Sequence, residues 1–113
     1  MKIYHNPRCK KSRAGLAYLE DKKITFEKVL YLKDRPFNEV SLSKLLTKMG
    51  KKPHDMIRTQ EKLYKQDYKG QTLSDKDWVT VMVENPRFIQ RPIVETEDNA
   101  VWGDPPENID HLL

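Results

Sequence analysis

A strand pattern changes to a helix pattern at Cys9, and this change constrains the fold more than any other feature of the chain. Residues 2–5 form a short apolar segment typical of a strand, and the residues from Lys10 onward have helical spacing. Cys9, the only cysteine, is therefore predicted at the N-terminus of a helix. Unpaired backbone N–H groups and the helix dipole favour negative charge at that position. A thiol there should have a lowered pKa and be partly thiolate near neutral pH.

The charges around Cys9 support the same prediction. Residues 1–13 contain no acidic side chain and five basic ones, namely Lys2, Arg8, Lys10, Lys11 and Arg13. Such a setting also favours a bound oxyanion. Ser12 completes the spacing Cys-x-x-Ser, which is the redox Cys-x-x-Cys spacing with a hydroxyl in place of the second thiol. The alternative interpretation is that Cys9 is a small buried hydrophobic residue, as free cysteines often are.

Length and composition predict a single domain over residues 1–113, and we expect a monomer. A chain of 113 residues can bury a core without disulfides or metals. One cysteine in a Lys-rich chain suggests a reducing, cytoplasmic setting, and the sequence has no signal peptide and no apolar run long enough to span a membrane. The net charge is +4, but the sequence has no nucleic-acid-binding motif, so we expect no nucleic-acid partner. With one cysteine and three scattered histidines, we expect no metal site.

The first third of the chain predicts a right-handed βαβ unit with parallel strands. Residues 10–20 have the apolar spacing of a helix, and residues 24–32 are rich in β-branched and aromatic side chains. The second strand is too apolar for clean alternation, so we expect it to be covered on both faces.

A helical block is predicted next. Residues 39–49 form a helix with Asn38 as N-cap and Gly50 as its end, and Pro53 starts a helical turn through residue 57. Residues 59–72 are predicted to be an irregular loop or a frayed short helix. A further helix follows Ser74, buries Trp78 among others, and ends at Asn85-Pro86.

The C-terminal part predicts a hairpin and a last short helix. Residues 88–94 and 100–103 read as strands around a turn at 97–99, and residues 107–113 as a helix. The resulting fold class is α/β with a mixed sheet: βαβ, then a helical insertion over about residues 38–86, then ββα. This is a thioredoxin-like layout. Pro92 lies where such folds place a cis-proline that faces the reactive thiol.

Three segments together resemble the arsenate reductase family of the glutaredoxin-coupled type, over nearly the whole chain. They are Tyr-His-Asn-Pro-x-Cys-x-x-Ser-Arg at 4–13, Met-Ile-Arg at 56–58, and Asn-Pro at 85–86 with Arg-Pro-Ile-Val at 91–94. The resemblance implies that the Cys9 thiolate attacks arsenate and forms a cysteine–arsenic adduct. It also implies that glutathione and glutaredoxin supply the electrons from outside, with no bound cofactor. A protein with one cysteine forms no internal disulfide, so an external thiol is required.

The resemblance also implies roles for other residues. Arg58 and Arg91 correspond to arginines that hold the oxyanion, a task that suits the permanently charged, bidentate guanidinium group. His5 and Ser12 are expected to tune the thiolate through hydrogen bonds. The remaining supporting residues of the matched motifs are Asn6, Arg13 and Pro92. Each has an alternative interpretation: the arginines as solvated surface residues, His5 as a packed strand histidine, and Ser12 as a helix cap.

One position departs from the family pattern. Asp104 stands where a third anion-binding arginine is expected, and a negative charge there should weaken oxyanion binding. Two further functions therefore stay open. One is a glutathione-dependent reductase of protein disulfides. The other is a regulator resembling the Spx transcription factors, which bind RNA polymerase; those carry a Cys-x-x-Cys switch, in contrast to the Cys-x-x-Ser of this chain.

Overall fold

The computed structural model describes residues 1–113, which divide into two units. The first unit comprises Met1–Pro36 and Arg91–Leu113, and the second comprises Phe37–Gln90. The helical insertion predicted over residues 38–86 falls inside the second unit. That the whole chain folds as one domain stays a prediction.

A four-stranded mixed sheet lies at the centre of the first unit. Its strands are β1 (Lys2–Tyr4), β2 (Glu27–Val29), β3 (Ile93–Glu95) and β4 (Ala100–Trp102). The spatial order is β2-β1-β3-β4; β1 and β2 are parallel, and the other two pairs are antiparallel. Helix α1 (Lys10–Asp21) connects the two parallel strands. The predicted thioredoxin-like βαβ and ββα arrangement in a mixed sheet is therefore confirmed.

The core of the first unit joins the sheet to α1 and to a C-terminal 3₁₀ helix, Pro106–Leu112. Ile3, Leu19, Val94 and Ile109 are completely buried and form one cluster. The 3₁₀ helix contacts both β4 and α1. It takes the place of the last helix that the sequence predicted, and it starts after Pro105, as expected.

The predicted strand over residues 24–32 is wrong in its extent and in its surroundings. The strand is only β2, at the edge of the sheet, with Glu27 and Lys28 exposed. Residues 31–34 form a helical turn, α2 (Tyr31–Asp34), which ends at Arg35 in the left-handed conformation. The apolar residues of this stretch are buried outside the strand. Ile24 and Phe26 pack on the core cluster, and Tyr31 is almost completely buried.

The second unit is helical and contains α3 (Glu39–Met49), α4 (Lys62–Asp67), α5 (Asp75–Glu84) and 3₁₀ turns at Pro53–Met56 and Pro86–Phe88. Asn38 caps α3 by accepting a 2.8 Å hydrogen bond from the Ser41 backbone N–H, and Gly50 ends it with a φ of 67°. Both residues were predicted from sequence. Helix α5 packs against α3 and both 3₁₀ turns, and it buries Trp78, Val81 and Met82.

Two sequence predictions in this unit need correction. Residues 62–67 form the regular helix α4, anchored by the buried Tyr64, so the irregular alternative for 59–72 is wrong there. Residues 88–92 are not part of a strand: Phe88 ends a 3₁₀ turn, and Ile89 makes an isolated antiparallel bridge to Ile57. Apolar residues in a tight turn and a single bridge have the composition of a strand, which is why periodicity alone misassigned them.

Candidate active site

Cys9 is the N-cap residue of α1. Its backbone is extended, with φ −95° and ψ 123°, and its carbonyl accepts the first hydrogen bond of the helix from the Arg13 N–H at 2.9 Å. The Cys9 N–H donates to the Asn6 carbonyl at 3.0 Å, which closes a turn before the helix. The side chain is half-buried and the thiol is free. The predicted position of Cys9 at a strand-to-helix transition is therefore confirmed.

The loop before Cys9 is fixed by three polar residues predicted as supporting residues. The Ser12 hydroxyl is completely buried; it accepts a 3.0 Å hydrogen bond from the Asn6 N–H and lies 2.7 Å from Nδ1 of His5. The Asn6 Oδ1 atom accepts from the Arg8 N–H at 3.1 Å. Side chains of this kind satisfy backbone donors that a tight turn leaves without backbone partners. The loop therefore presents Cys9 from a fixed backbone.

Arg13 braces the same loop from the exposed side, where its Nη1 atom donates to the Pro7 carbonyl at 3.0 Å. Burial lowers the pKa of His5, and the charges of Lys28 and Arg13 lower it further. A lowered pKa keeps the imidazole neutral at neutral pH. His5 therefore supports the loop through its hydrogen bond to Ser12 and supplies no positive charge to an anion.

The pKa of the Cys9 thiol is lowered by a balance of opposing effects. Burial alone would raise it, but the backbone N–H of Ser12, the Arg91 guanidinium and the backbone N–H of Lys11 outweigh burial and lower the pKa. Ser12 therefore acts on the sulfur through its backbone N–H, while its hydroxyl holds His5 and Asn6. These donors stabilise the thiolate, the form of cysteine that acts as a nucleophile.

Arg91 and Pro92 form the second side of the site. Arg91 is 7% exposed, and its guanidinium lies close enough to the Cys9 sulfur to lower the pKa of the thiol. The Arg91-Pro92 peptide bond is cis, as the sequence predicted. Gly15 of α1 lies directly against this proline, because a Cβ atom on Gly15 would be only 2.5 Å from Cγ of Pro92. The structure thus brings Cys9, Arg91 and Pro92 together, as the predicted fold requires.

Arg58 lies in the second unit, half-buried. Its backbone N–H donates to the Phe88 carbonyl at 2.6 Å, and its Nε donates to Oε2 of Glu61 at 3.1 Å. The side chains of Arg58 and Glu61 are 15% and 19% exposed. Arg58 is therefore not a solvated surface arginine, but it already has a carboxylate partner, which the sequence did not reveal. Its role in anion binding stays a prediction.

Asp104 is paired with a cation near the start of α1. Its Oδ2 atom lies 3.4 Å from Nζ of Lys11, and its backbone carbonyl accepts from Nδ2 of Asn108 at 3.2 Å. Lys11 follows Cys9 by two residues, and its backbone N–H faces the sulfur. Part of the positive charge that the sequence places around Cys9 is therefore neutralised from the far end of the chain.

Sequence reasoning missed three residues that shape this site: Gly15, Trp102 and Gly103. The Gly103 N–H donates to the Pro92 carbonyl at 2.8 Å, and the Trp102 indole N–H donates to the Arg91 carbonyl at 3.3 Å. The only sequence signal was the presence of Gly15 inside a helix, where glycine is unfavourable and so suggests a close contact.

No group of three or more His, Cys, Asp or Glu side chains has an arrangement that could hold a metal ion. None of the helices has the length and apolar character needed to cross a membrane.

Comparison with known proteins identifies relatives over almost the full length. The model of the ArsC family matches residues 4–112. An arsenate reductase of Neisseria meningitidis is 36% identical, with 100% of this chain and 97% of that protein covered. The uncharacterized protein YfgD of Escherichia coli K12 is 39% identical, with 96% and 92% covered. The structure of an arsenate reductase from Vibrio cholerae superposes with a TM-score of 0.91 at 38% identity, covering 100% and 98% of the two chains.

Proposed function

This chain belongs to the ArsC family, and from that premise we propose that it reduces an oxyanion with Cys9 as its nucleophile. It is a thiol-dependent oxidoreductase of the ArsC type. Relatives from Neisseria meningitidis and Haemophilus influenzae are named arsenate reductases, and arsenate is the substrate we propose here. One observation carries the proposal: the Cys9 thiol lies at the N-cap of α1, where backbone N–H groups and the Arg91 guanidinium lower its pKa.

The same donors suit an oxyanion beside the sulfur. Backbone N–H groups at a helix N-terminus bind anions, and a guanidinium adds a permanent charge with two parallel donors. We assign this role to Arg91 and to the first turn of α1. We also propose an anion-binding role for Arg58, whose Nε donates to Oε2 of Glu61 at 3.1 Å.

The proposed reaction begins when the thiolate attacks arsenic and displaces an arsenate oxygen, which leaves as water after protonation. This step forms a sulfur–arsenic(V) bond. A glutathione thiolate then attacks the Cys9 sulfur and forms a mixed disulfide. The electron pair of the sulfur–arsenic bond passes to arsenic, which leaves as arsenite in the +3 state. A second thiol, from glutathione or glutaredoxin, attacks the glutathione sulfur, releases the Cys9 thiolate and carries away the disulfide.

The external donor follows from the cysteine count. Cys9 is the only cysteine, so no second thiol of this chain can resolve the adduct or the mixed disulfide. Thiol–disulfide exchange requires an attacking thiolate, which must come from outside. Glutathione and glutaredoxin are the donor and partner that we propose, with no resident cofactor in the cycle.

Steady-state arsenate reduction with glutathione and glutaredoxin tests this function. The wild type should turn over, and Cys9→Ser should not, because a hydroxyl is a far weaker nucleophile than a thiolate. Arg91→Ala should lower kcat/KM by about 10- to 100-fold, the effect of losing a charged hydrogen bond. Arg87→Ala, which removes an exposed arginine of the second unit, serves as the matched control and should leave turnover unchanged. Wild-type turnover no higher than that of Cys9→Ser would remove the arsenate assignment.

The ion pair between Asp104 and Lys11 favours a second candidate, a glutathione-dependent disulfide reductase. Neutralising Lys11 weakens the site for a doubly charged oxyanion but leaves the Cys9 thiolate able to attack a glutathione mixed disulfide. Turnover of the mixed disulfide of β-mercaptoethanol and glutathione measures this activity. If that substrate is turned over and arsenate is not, the second candidate replaces the first.

A further inference from the structure

Trp102 connects the end of β4 to the arginine at the active site. Trp102 is paired with Ile93 in the ladder between β3 and β4. Its indole Nε1 donates to the carbonyl of Arg91 at 3.3 Å. The next residue, Gly103, donates its N–H to the carbonyl of Pro92 at 2.8 Å. Trp102 and Gly103 therefore hold Arg91 and Pro92, the two residues that precede β3.

Trp102 is itself held from the C-terminal 3₁₀ helix. Nδ2 of Asn108 donates to the Trp102 carbonyl at 3.1 Å and to the Asp104 carbonyl at 3.2 Å. The indole ring is half-buried, so its N–H is partly shielded from water, and the bond to Arg91 has less competition than an exposed one. Asn108 thus holds the main chain of Trp102, and the Trp102 indole in turn holds the main chain of Arg91.

We propose that Trp102 is a positioning residue that fixes the backbone of Arg91 so that its guanidinium stays against the Cys9 sulfur. An arginine side chain has many rotamers, and the position of its guanidinium depends on where its backbone is anchored. Trp102 does not contact the reacting atoms; it acts only through Arg91. The expected effect of Trp102 on turnover rests on the proposed function. Its effect on the reactivity of the Cys9 thiol can be measured without any substrate.

The substitution Trp102→Phe tests this role, because it removes the indole N–H while retaining an aromatic ring. The measurement is the rate of Cys9 alkylation by iodoacetamide as a function of pH, followed by mass spectrometry of the intact protein. We expect the midpoint of the profile to move upward and the rate at pH 7 to fall about two- to fivefold, the size of one lost neutral hydrogen bond. Asn108→Ala should move the profile in the same direction by a smaller amount, and it provides a second route should Trp102→Phe fold poorly.

Two controls separate positioning from general destabilisation. Trp78→Phe makes the same change in the second unit, where the ring packs among Tyr64, Tyr68 and His54, and it should lower stability without moving the profile. In an Arg91→Ala background, Trp102→Phe should produce no additional shift, because the group it positions is gone.

The outcomes are distinguishable. The inference is overturned if Trp102→Phe leaves the profile unchanged while Arg91→Ala shifts it, or if Trp102→Phe shifts it equally with and without Arg91. A profile that Arg91→Ala does not move would contradict the proposed role of Arg91 and, with it, this inference. Arsenate turnover that fails in the wild type, together with the expected shifts in alkylation, would contradict only the proposed substrate.

Discussion

Gly15 of α1 lies against Pro92 with no room for a side chain, and Gly15→Ala therefore tests how the Arg91-Pro92 segment is held. The added Cβ atom would lie 2.5 Å from Cγ of Pro92 and 3.4 Å from the carbonyl oxygen of Gly103. Non-bonded carbon atoms in contact stay about 3.5–4.0 Å apart, so the helix or the proline must move by about 1 Å. Overpacking costs about 1–3 kcal/mol, and alanine regains up to about 1 kcal/mol of helix propensity. We expect a net loss of about 1–2 kcal/mol.

Urea unfolding measures the stability change, and the pH profile of iodoacetamide alkylation measures its effect on Cys9. A loss of this size corresponds to a fall in Tm of about 5–10 °C in a chain of this length. Displacement of Pro92 should also move Arg91 and raise the pKa of the Cys9 thiol toward its ordinary value. Ala14→Gly, at an exposed position of the same helix, is the control; it should cost about 1 kcal/mol through propensity alone and leave the profile unchanged. A Gly15→Ala protein as stable as the wild type, with an unchanged profile, would refute the packing argument.

Three further predictions concern single contacts. Asp104→Asn should free Lys11 and increase the ratio of iodoacetate to iodoacetamide reactivity at Cys9 by about threefold, because the negatively charged reagent then meets a more positive site. An unchanged ratio would show that Asp104 has no influence on the site. Ser12→Ala should lower the free energy of unfolding in urea by about 1–3 kcal/mol, because the buried Asn6 N–H loses its acceptor; a change below about 0.5 kcal/mol would be too small for this mechanism. Asn38→Ala should cost about 1 kcal/mol through loss of the α3 cap, measured in the same way, and equal stability of wild type and variant would argue against a working cap.

The parts of the fold that sequence predicted correctly depend on local signals. Asn38 and Gly50 mark the ends of α3, and both operate through the backbone of their own helix. The position of Cys9 at the start of α1 follows from the change of pattern between neighbouring residues. Such signals act over one helical turn and can be read without knowing the rest of the structure.

The sequence predictions are wrong where tertiary packing buries apolar residues outside a strand. Tyr31 and Phe88 are aromatic and buried, which suits a strand, yet Tyr31 starts a helical turn and Phe88 ends a 3₁₀ turn. The tertiary context decides such short segments, since burial is compatible with either conformation.

At the candidate site, as in the fold, local contacts can be predicted from sequence and contacts between distant residues cannot. His5 of the first loop and Ser12 of α1 are close in sequence, and their mutual contact is local. The contacts that hold the Arg91-Pro92 segment come from Trp102, which bonds to Arg91, and from Gly15 and Gly103, which contact Pro92; the sheet and α1 bring these residues together. The ion pair of Arg58 with Glu61 spans only three residues, but they lie in a turn before α4, where the spacing rule for helix faces does not apply. The pair of Lys11 with Asp104 joins opposite ends of the chain and could not have been expected from spacing.

The thiol of Cys9 has a lowered pKa, and therefore a larger thiolate fraction near neutral pH, because of its place at the start of α1 and beside Arg91. The most direct test is the pH dependence of Cys9 alkylation in the folded wild type, with the same protein in denaturant as reference. We predict that the folded midpoint lies below the denatured midpoint, which should be at the ordinary thiol value of about 8.5. Coincident folded and denatured profiles would contradict the account.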